Sequence, residues 1–227
     1  MQGILLIDKP REWTSFDVVN YVRKQVAAAE GKKPKNVKVG HTGTLDPLAT
    51  GLLVLLVGKE YTRRATELSK LDKTYEVTMK LGEVSTTGDE EGVKTALSDV
   101  QPSRETIEAA LQQLTGQVMQ TPPAFSAMKI NGQRAYKLAR EGKTVELEAR
   151  PVQIYRNTLT AYEYPYAWFT SEVGSGTYIR SLVEDLGKLL STGAYMSDLR
   201  RTHVGAFDIA DTYRVDATDL LKNLLLL

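Results

Sequence analysis

The apolar positions of this chain fall into short blocks separated by Gly, Pro and polar clusters, and the blocks differ in period. Gly3 to Ile7 reads as a short strand, ended by Asp8-Lys9-Pro10. Thr14-Ser15-Phe16-Asp17 offers a capping box, a hydroxyl followed three residues later by a carboxylate, before a helix to about Ala28. Leu52-Leu53-Val54-Leu55-Leu56-Val57 is an unbroken apolar run, the pattern of a strand buried on both faces. Residues 61–69 are predicted helical. Thr74 to Leu81 alternates as a half-buried strand closed by Gly82, and 83–102 reads as a polar loop. Ser103 caps a helix through Leu114.

From Thr121 the composition changes. Pro122-Pro123 stiffens the chain, Ser126 to Ile130 is placed to pair across an Asn131-Gly132 turn, and Ala135 to Glu141 forms a short helix stopped by Gly142. Strands are expected at 144–148, 151–161 and 166–173. Ile179, Leu182, Val183, Leu186, Leu189 and Leu190 recur at i, i+3, i+4, i+7, i+10 and i+11, the clearest helical stripe in the chain. Residues 195–209 read as extended, and a last helix is expected from near Asp216. Strands and helices mingle without regular β-α alternation, so the fold class is α+β.

Composition changes this picture mainly by exclusion. The 227 residues allow one large domain or two small ones, and 42% hydrophobic with 25% charged residues is ordinary for a globular protein. Cys is absent, which removes thiolate catalysis, disulfides and Cys-ligated zinc. Two His residues are too few for an imidazole-rich metal site. The first residues lack the basic start and long apolar run of a signal peptide, and no run approaches membrane-spanning length. With a net charge of +1, any nucleic-acid binding has to come from local clusters. Lys32, Lys33, Lys35 and Lys38 form one cluster, Arg63 and Arg64 a second, and Arg200 and Arg201 another. Lys129, Arg134, Lys137, Arg140 and Lys143 form a group interleaved with Phe125 and Tyr136 that could fold over an RNA backbone.

The candidate chemistry centres on "KVGHTGTLDPLATGLL", residues 38–53. It is not a nucleotide-phosphate loop, because no Lys-Ser or Lys-Thr follows its second Gly. Gly174-Ser175-Gly176 is likewise too short for a nucleophile elbow. The glycines, with Pro47 after Asp46, describe a stiff loop aiming one carboxylate, although an Asp-Pro in a loop is more often a plain turn cap. Arg180 lies off the apolar stripe of its helix. It is either a solvated residue or a cation that keeps an active-site carboxylate ionised. Tyr75 is either an ordinary strand aromatic or a ring that stacks on a flat ligand such as a base.

These motifs, in this order, resemble the TruB family of tRNA pseudouridine synthases. "GILLIDKPREWTSFDVV" matches the family's opening motif and the Asp46 stretch its catalytic loop. "KTYEVTMKLG", "TPPAFSAMKINGQRAYKLAREG", "GTYIRSLVEDLG" and "LRRTHVGAF" follow in the family's order, so the match runs from Gly3 to about Phe207. The resemblance implies a pseudouridine synthase fold, a central mixed, mostly antiparallel sheet flanked by helices and loops. It implies isomerisation of uridine 55 in the tRNA T-loop, without cofactor or metal, by a monomeric cytoplasmic enzyme. Asp46 would be the catalytic aspartate, Tyr75 the stacking tyrosine and Arg180 the arginine paired with the aspartate. Tyr178 and Leu199 would complete the pocket, and His41 would pack near the flipped nucleotide. Lys9, with Pro10, would belong to the supporting first motif. Lys129 and Arg134 would grip RNA from a mobile insertion at about 122–146. One catalytic domain over 1–227 is expected, without the small RNA-binding PUA domain common at the C-terminus of relatives. Val173-Gly174-Ser175 replaces the Cys-Ser-Lys often found in the family, which removes an RNA contact and no catalytic group. A tRNA-binding folding factor without essential turnover is the competing reading. A hydrolase of glycosidic bonds ranks below both, since a second suitably placed carboxylate is not evident.

Overall fold

The computed structural model describes residues 1–226 except 127, 131 and 142–146; the side chains of 129, 130, 134, 136, 139 and 140 are also outside the description. The chain forms two compact units, one of Met1–Glu76 with Leu199–Leu227 and one of Val77–Asp198. The first contains β1 (Gly3–Lys9), α1 (Ser15–Ala29), β2 (Val39–His41), β3 (Thr50–Val57), α2 (Lys59–Arg63), α3 (Ala65–Leu68) and the start of β4 (Lys73–Leu81). The second continues β4 and holds β5 (Glu83–Ser85), β6 (Lys94–Ala96), α4 (Arg104–Gln113), β7 (Gly116–Gln120), β8 (Lys129–Ile130) and β9 (Gln133–Arg134). α5 (Ala135–Arg140), β10 (Arg150–Glu163), β11 (Tyr166–Val173) and α6 (Ile179–Leu189) follow. β12 (Ala194–Val204) leads back to the first unit, which ends with β13 (Phe207–Asp208) and β14 (Tyr213–Arg214).

In the first unit β1 and β3 pair antiparallel along their whole length, from Gly3 opposite Val57 to Lys9 opposite Gly51. Strand alternation sends Leu5, Ile7, Leu53, Leu55 and Val57 to one face, against Val18, Val19, Val22 and Val26 of α1. Ile4, Leu6, Leu52, Val54 and Leu56 go to the other face, against Tyr61, Leu68 and Val204. Both faces are therefore covered, which is why residues 52–57 are apolar without interruption. α1 begins where its capping box requires: the Thr14 hydroxyl accepts from Asp17 N at 3.0 Å, and the Asp17 carboxylate accepts from Thr14 N at 2.9 Å.

The edge of β3 away from β1 is shared by two strands. β2 covers it at Leu55–Val57, and β12 covers it at Thr50–Gly51 with Arg200–Arg201 running parallel. The stretch of edge between them is where residues 42–49 leave the sheet. In the second unit β4, β11, β10 and β7 lie side by side in that order, with β10 antiparallel to both its neighbours. The sheets are mixed and mostly antiparallel, and the class is α+β as the pattern predicts.

Several boundaries differ from expectation. The helix expected at 61–69 is divided into α2 and α3, and residues 83–102 contain the paired strands β5 and β6. β7 carries no apolar alternation strong enough to announce it. The strand expected at 144–148 falls largely outside the described residues, as does the Asn131 end of the β8–β9 turn. From Asp216 the chain makes only a 3-10 turn at Leu220–Asn223 before Leu225 bridges to Ile4. The Asp216 carboxylate, expected to start a helix, is taken by Arg214 at 3.0–3.1 Å.

Gly51 has φ +99°, and a Cβ there would lie 2.3 Å from the Arg201 carbonyl oxygen. Gly31 has φ +62° with open space around it. Gly31→Ala should cost about 1 kcal/mol from backbone strain alone, and Gly51→Ala about 3 kcal/mol or more because strain and clash combine. Urea denaturation midpoints compare the two directly; equal shifts would contradict the role given to the Gly51–Arg201 approach.

Candidate active site

The loop bearing Asp46 is tied down at Thr42, Gly43, Leu45 and Pro47 by groups of the first unit. At its ends, the buried Arg201 guanidinium donates from Nη2 to the Gly43 carbonyl at 3.1 Å and from Nε to the Leu52 carbonyl at 2.8 Å. On the uncovered edge of β3, Thr42 N donates to the Val54 carbonyl at 3.1 Å. The polar backbone exposed by the departure of the loop is thereby satisfied.

Nearer the acid, the buried Ser15 hydroxyl accepts from Leu45 N at 2.8 Å and donates to Leu45 O at 3.0 Å. On the other side, the Pro47 carbonyl accepts from Glu12 N at 2.8 Å and from Lys9 Nζ at 3.3 Å. Glu12 makes its bond with φ +69°, an unfavourable angle for a side-chain-bearing residue. Ala49 N closes a turn onto the Asp46 carbonyl at 3.1 Å, with Pro47 at the second position where its fixed φ suits. Leu45, Leu48 and Ala49 are buried, so the loop is pinned by packing as well as by hydrogen bonds. Asp46 itself stays partly exposed.

Three buried cations surround this loop. Lys9 is fully buried and also donates to the carbonyls of Pro10 at 2.9 Å and Trp13 at 2.6 Å. Burial lowers its pKa from 10.5 to about 8; the Asp46 charge opposes the fall, and Arg201 adds to it. Lys73 is lowered to about 8 by the same causes, burial first and then Arg201, and its Cε lies 3.5 Å from where a Cβ on Gly43 would stand. Tyr75 follows Lys73 on the buried face of β4. His41 ends β2, and its pKa is lowered by burial and then by Arg201, which favours the neutral ring at neutral pH. Its Nδ1 is buried without a hydrogen-bond partner among the described residues. Leu199 is buried on β12, two residues before Arg201 and on the same side of the strand.

The second unit holds the other expected residues. Arg180 is not on a solvated helix face: it is 6% exposed, with Nη2 donating to Phe125 O at 2.8 Å and Nη1 to Thr87 O at 3.2 Å. Its Nη1 also lies 3.6 Å from the buried Asp89 carboxylate. The N-terminus of α6 that presents it is fixed by the Gln120 side chain, which accepts from Tyr178 N at 2.8 Å and donates to Tyr178 O at 3.1 Å. The Arg150 guanidinium lies 5.5 Å from the Tyr178 ring centroid. Leu189, counted in the apolar stripe of α6, is exposed. Lys129 and Arg134 sit on the short paired strands β8 and β9, and their side chains are among those not described.

Sequence reasoning missed Arg201, Ser15, Lys73, Asp89 and Gln120. For Lys73 a signal was present, since it shares strand parity with the buried positions 75, 77, 79 and 81. Lys9 shares parity with Leu5 and Ile7 in the same way. Asp89 and Gln120 carry no comparable signal. Among the described residues there is no cluster of acidic and His side chains placed to hold a metal, and no helix long and apolar enough to cross a membrane.

The Lys9 shift has a measurable consequence. Between about pH 8 and 10.5 the unfolded chain binds a proton at Lys9 that the folded chain has lost, so this residue makes stability rise with pH across that window. Lys9→Met should remove that part of the slope in urea denaturation series; an unchanged slope would show that Lys9 titrates normally in the fold.

The sequence as a whole matches two family models, one described as the N-terminal domain of the TruB family pseudouridylate synthases over residues 31–179, the other as the tRNA pseudouridylate synthase B C-terminal domain over 180–226. Proteins named tRNA pseudouridine synthase B are similar along most of the chain. The one from Stutzerimonas stutzeri is 44% identical over 97% of this chain and 70% of its own length. That from Clostridium novyi is 46% identical over 91% of this chain and 68% of its own. Among solved structures, a chain of a Cbf5-Nop10-Gar1 complex superposes with a TM-score of 0.70 at 26% identity, covering 97% of this chain. This chain spans 55% of the length of that one. A chain from an H/ACA RNP bound to a substrate RNA containing 2'-deoxyuridine gives 0.68 at 25% identity, over 98% of this chain and 58% of the other. With two adjoining family models and relatives at 44% and 46% identity over most of the chain, the chain belongs to the TruB family of pseudouridylate synthases.

Proposed function

We propose that this protein is a tRNA pseudouridine synthase that isomerises uridine 55 in the T-loop, with Asp46 as the acting carboxylate. The observation that carries the reading is the Asp46 loop: a partly exposed acid on a segment held at Gly43, Leu45, Pro47 and Leu52 by buried side chains. A group so fixed meets a reacting carbon without first having to be ordered, which is where much of an enzyme's advantage arises.

The reaction breaks the bond between uracil N1 and the ribose C1′ and joins C5 to the same carbon. C5 loses a proton and N1 gains one, so composition does not change. One ionised carboxylate serves either route, adding to C1′ or removing the neighbouring C2′ proton. The uridine has to leave its stack to reach the acid. In this reading Tyr75 stacks on the extruded base, Arg180 is the arginine paired with the catalytic aspartate, and Asp89 keeps its guanidinium oriented. His41, Tyr178 and Leu199 shape the pocket, while Lys129 and Arg134 grip the T-arm. Lys9 holds Pro47 and lends its positive field to the acid beside it. The enzyme works as a cytoplasmic monomer, without cofactor or metal.

A T-arm stem-loop transcript tests the reading, with mass-neutral pseudouridine detected by carbodiimide labelling. Asp46→Asn should lower the single-turnover rate by about 10³-fold or more, and Arg180→Ala by about 10²-fold with RNA affinity within about threefold. A wild-type rate in Asp46→Asn would remove the acid from the mechanism. Wild-type binding without any modification would favour the folding factor, and free uracil would indicate hydrolysis.

A further inference from the structure

We infer that the outer face of α1 is a stacking platform for a nucleotide flanking the target uridine, with Phe16 as the plate and Arg23 as its cation; the inference rests on RNA being the substrate. Val18, Val19, Val22 and Val26 turn the apolar side of α1 into the core, yet Phe16 stands outside with 59% of its surface exposed. A lone exposed Phe is ordinary. This one is accompanied by a guanidinium that the fold immobilises. Arg23 Cζ lies 5.8 Å from the ring centroid, Nη1 donates to Asn20 Oδ1 at 2.7 Å, and Nη2 donates to Val39 O at 3.3 Å. A flat apolar face backed by a fixed cation suits a base and its phosphate, because every base has a π-face and the phosphate is anionic.

Position supports the same occupant. Ser15, next to Phe16, is the residue that holds Leu45, immediately before Asp46. Val39, which accepts from Arg23, begins the strand that ends at His41. Lys24 and Lys38 are exposed nearby in sequence, and the 3-10 turn Pro34–Asn36 in the exposed lysine-rich connection packs against α1. Asp17, next to Phe16 in the chain, is already engaged by the Thr14 hydroxyl and backbone N–H. A cationic, aromatic surface this close to the reactive loop is complementary to RNA rather than to an apolar protein face.

The test uses the intact protein and the T-arm transcript. Phe16→Ala should raise Kd and KM about tenfold while the saturating single-turnover rate stays within about twofold, and Phe16→Trp should restore binding. Arg23→Gln should reduce the slope of log Kd against log salt by about one phosphate contact, roughly 0.7–0.9. Wild-type Kd and KM in Phe16→Ala, with wild-type protein fully active, would overturn the platform and leave the proposed reaction standing. Weakened binding in Phe16→Ala that Phe16→Trp does not restore would also overturn it. Absence of modification by the wild-type protein would instead remove the reading on which the platform depends.

Discussion

Both ends of the Asp46 loop hang on one buried guanidinium. Arg201 stands at the point where β12 stops covering the edge of β3 and the loop leaves the sheet, and it donates to a carbonyl on each side of the gap. Burying a charge in this way is costly unless its donors are used and its field is useful. Here the donors close the edge that the loop opens. The same residue fixes the backbone of β12 so near Gly51 that no side chain fits there. Remove the guanidinium, and two carbonyls lose their partners at the base of the segment that carries the acid.

The charge of Arg201 reaches further than its hydrogen bonds. With Lys9 and Lys73 it makes a buried positive field under the loop, in which Arg201 adds to the lowered proton affinity of both lysines. The field also favours a neutral His41. Such a field attracts an anion. Lys9, one of the cations that hold the loop, also interacts electrostatically with Asp46. Shape and electrostatics come from the same side chains.

Much of this was legible in the sequence, and the remainder fails for identifiable reasons. The run 52–57 announced a strand covered on both faces, and the capping box placed the start of α1 at Thr14. The Gly-rich, Pro-stiffened stretch around Asp46 was readable as an aimed acid once the ordered motifs supported it. The tethers were harder to see. Arg201 reads as half of an exposed basic pair, and Ser15 as part of a helix cap. Lys9 and Lys73 betray themselves only through strand parity. For Arg180 the sequence left a solvated residue and a carboxylate-holding cation both open, because helical periodicity describes apolar residues. It says nothing of a buried cation whose partners, Thr87, Asp89 and Phe125, lie far away in sequence. The helix expected after Asp216 failed because its acid found a closer partner in Arg214.

The claim that binds these observations is that Arg201 acts through the position of Asp46 and not by touching RNA. Arg201→Lys keeps the charge but cannot span Gly43 and Leu52 together. Single-turnover pseudouridine formation on a T-arm transcript, measured with RNA affinity and the denaturation midpoint, tests it. The chemical step should slow by about 10²-fold at saturating RNA, with Kd changed less than about threefold and the protein folded. A variant that is folded, binds RNA normally and reacts at the wild-type rate would contradict it.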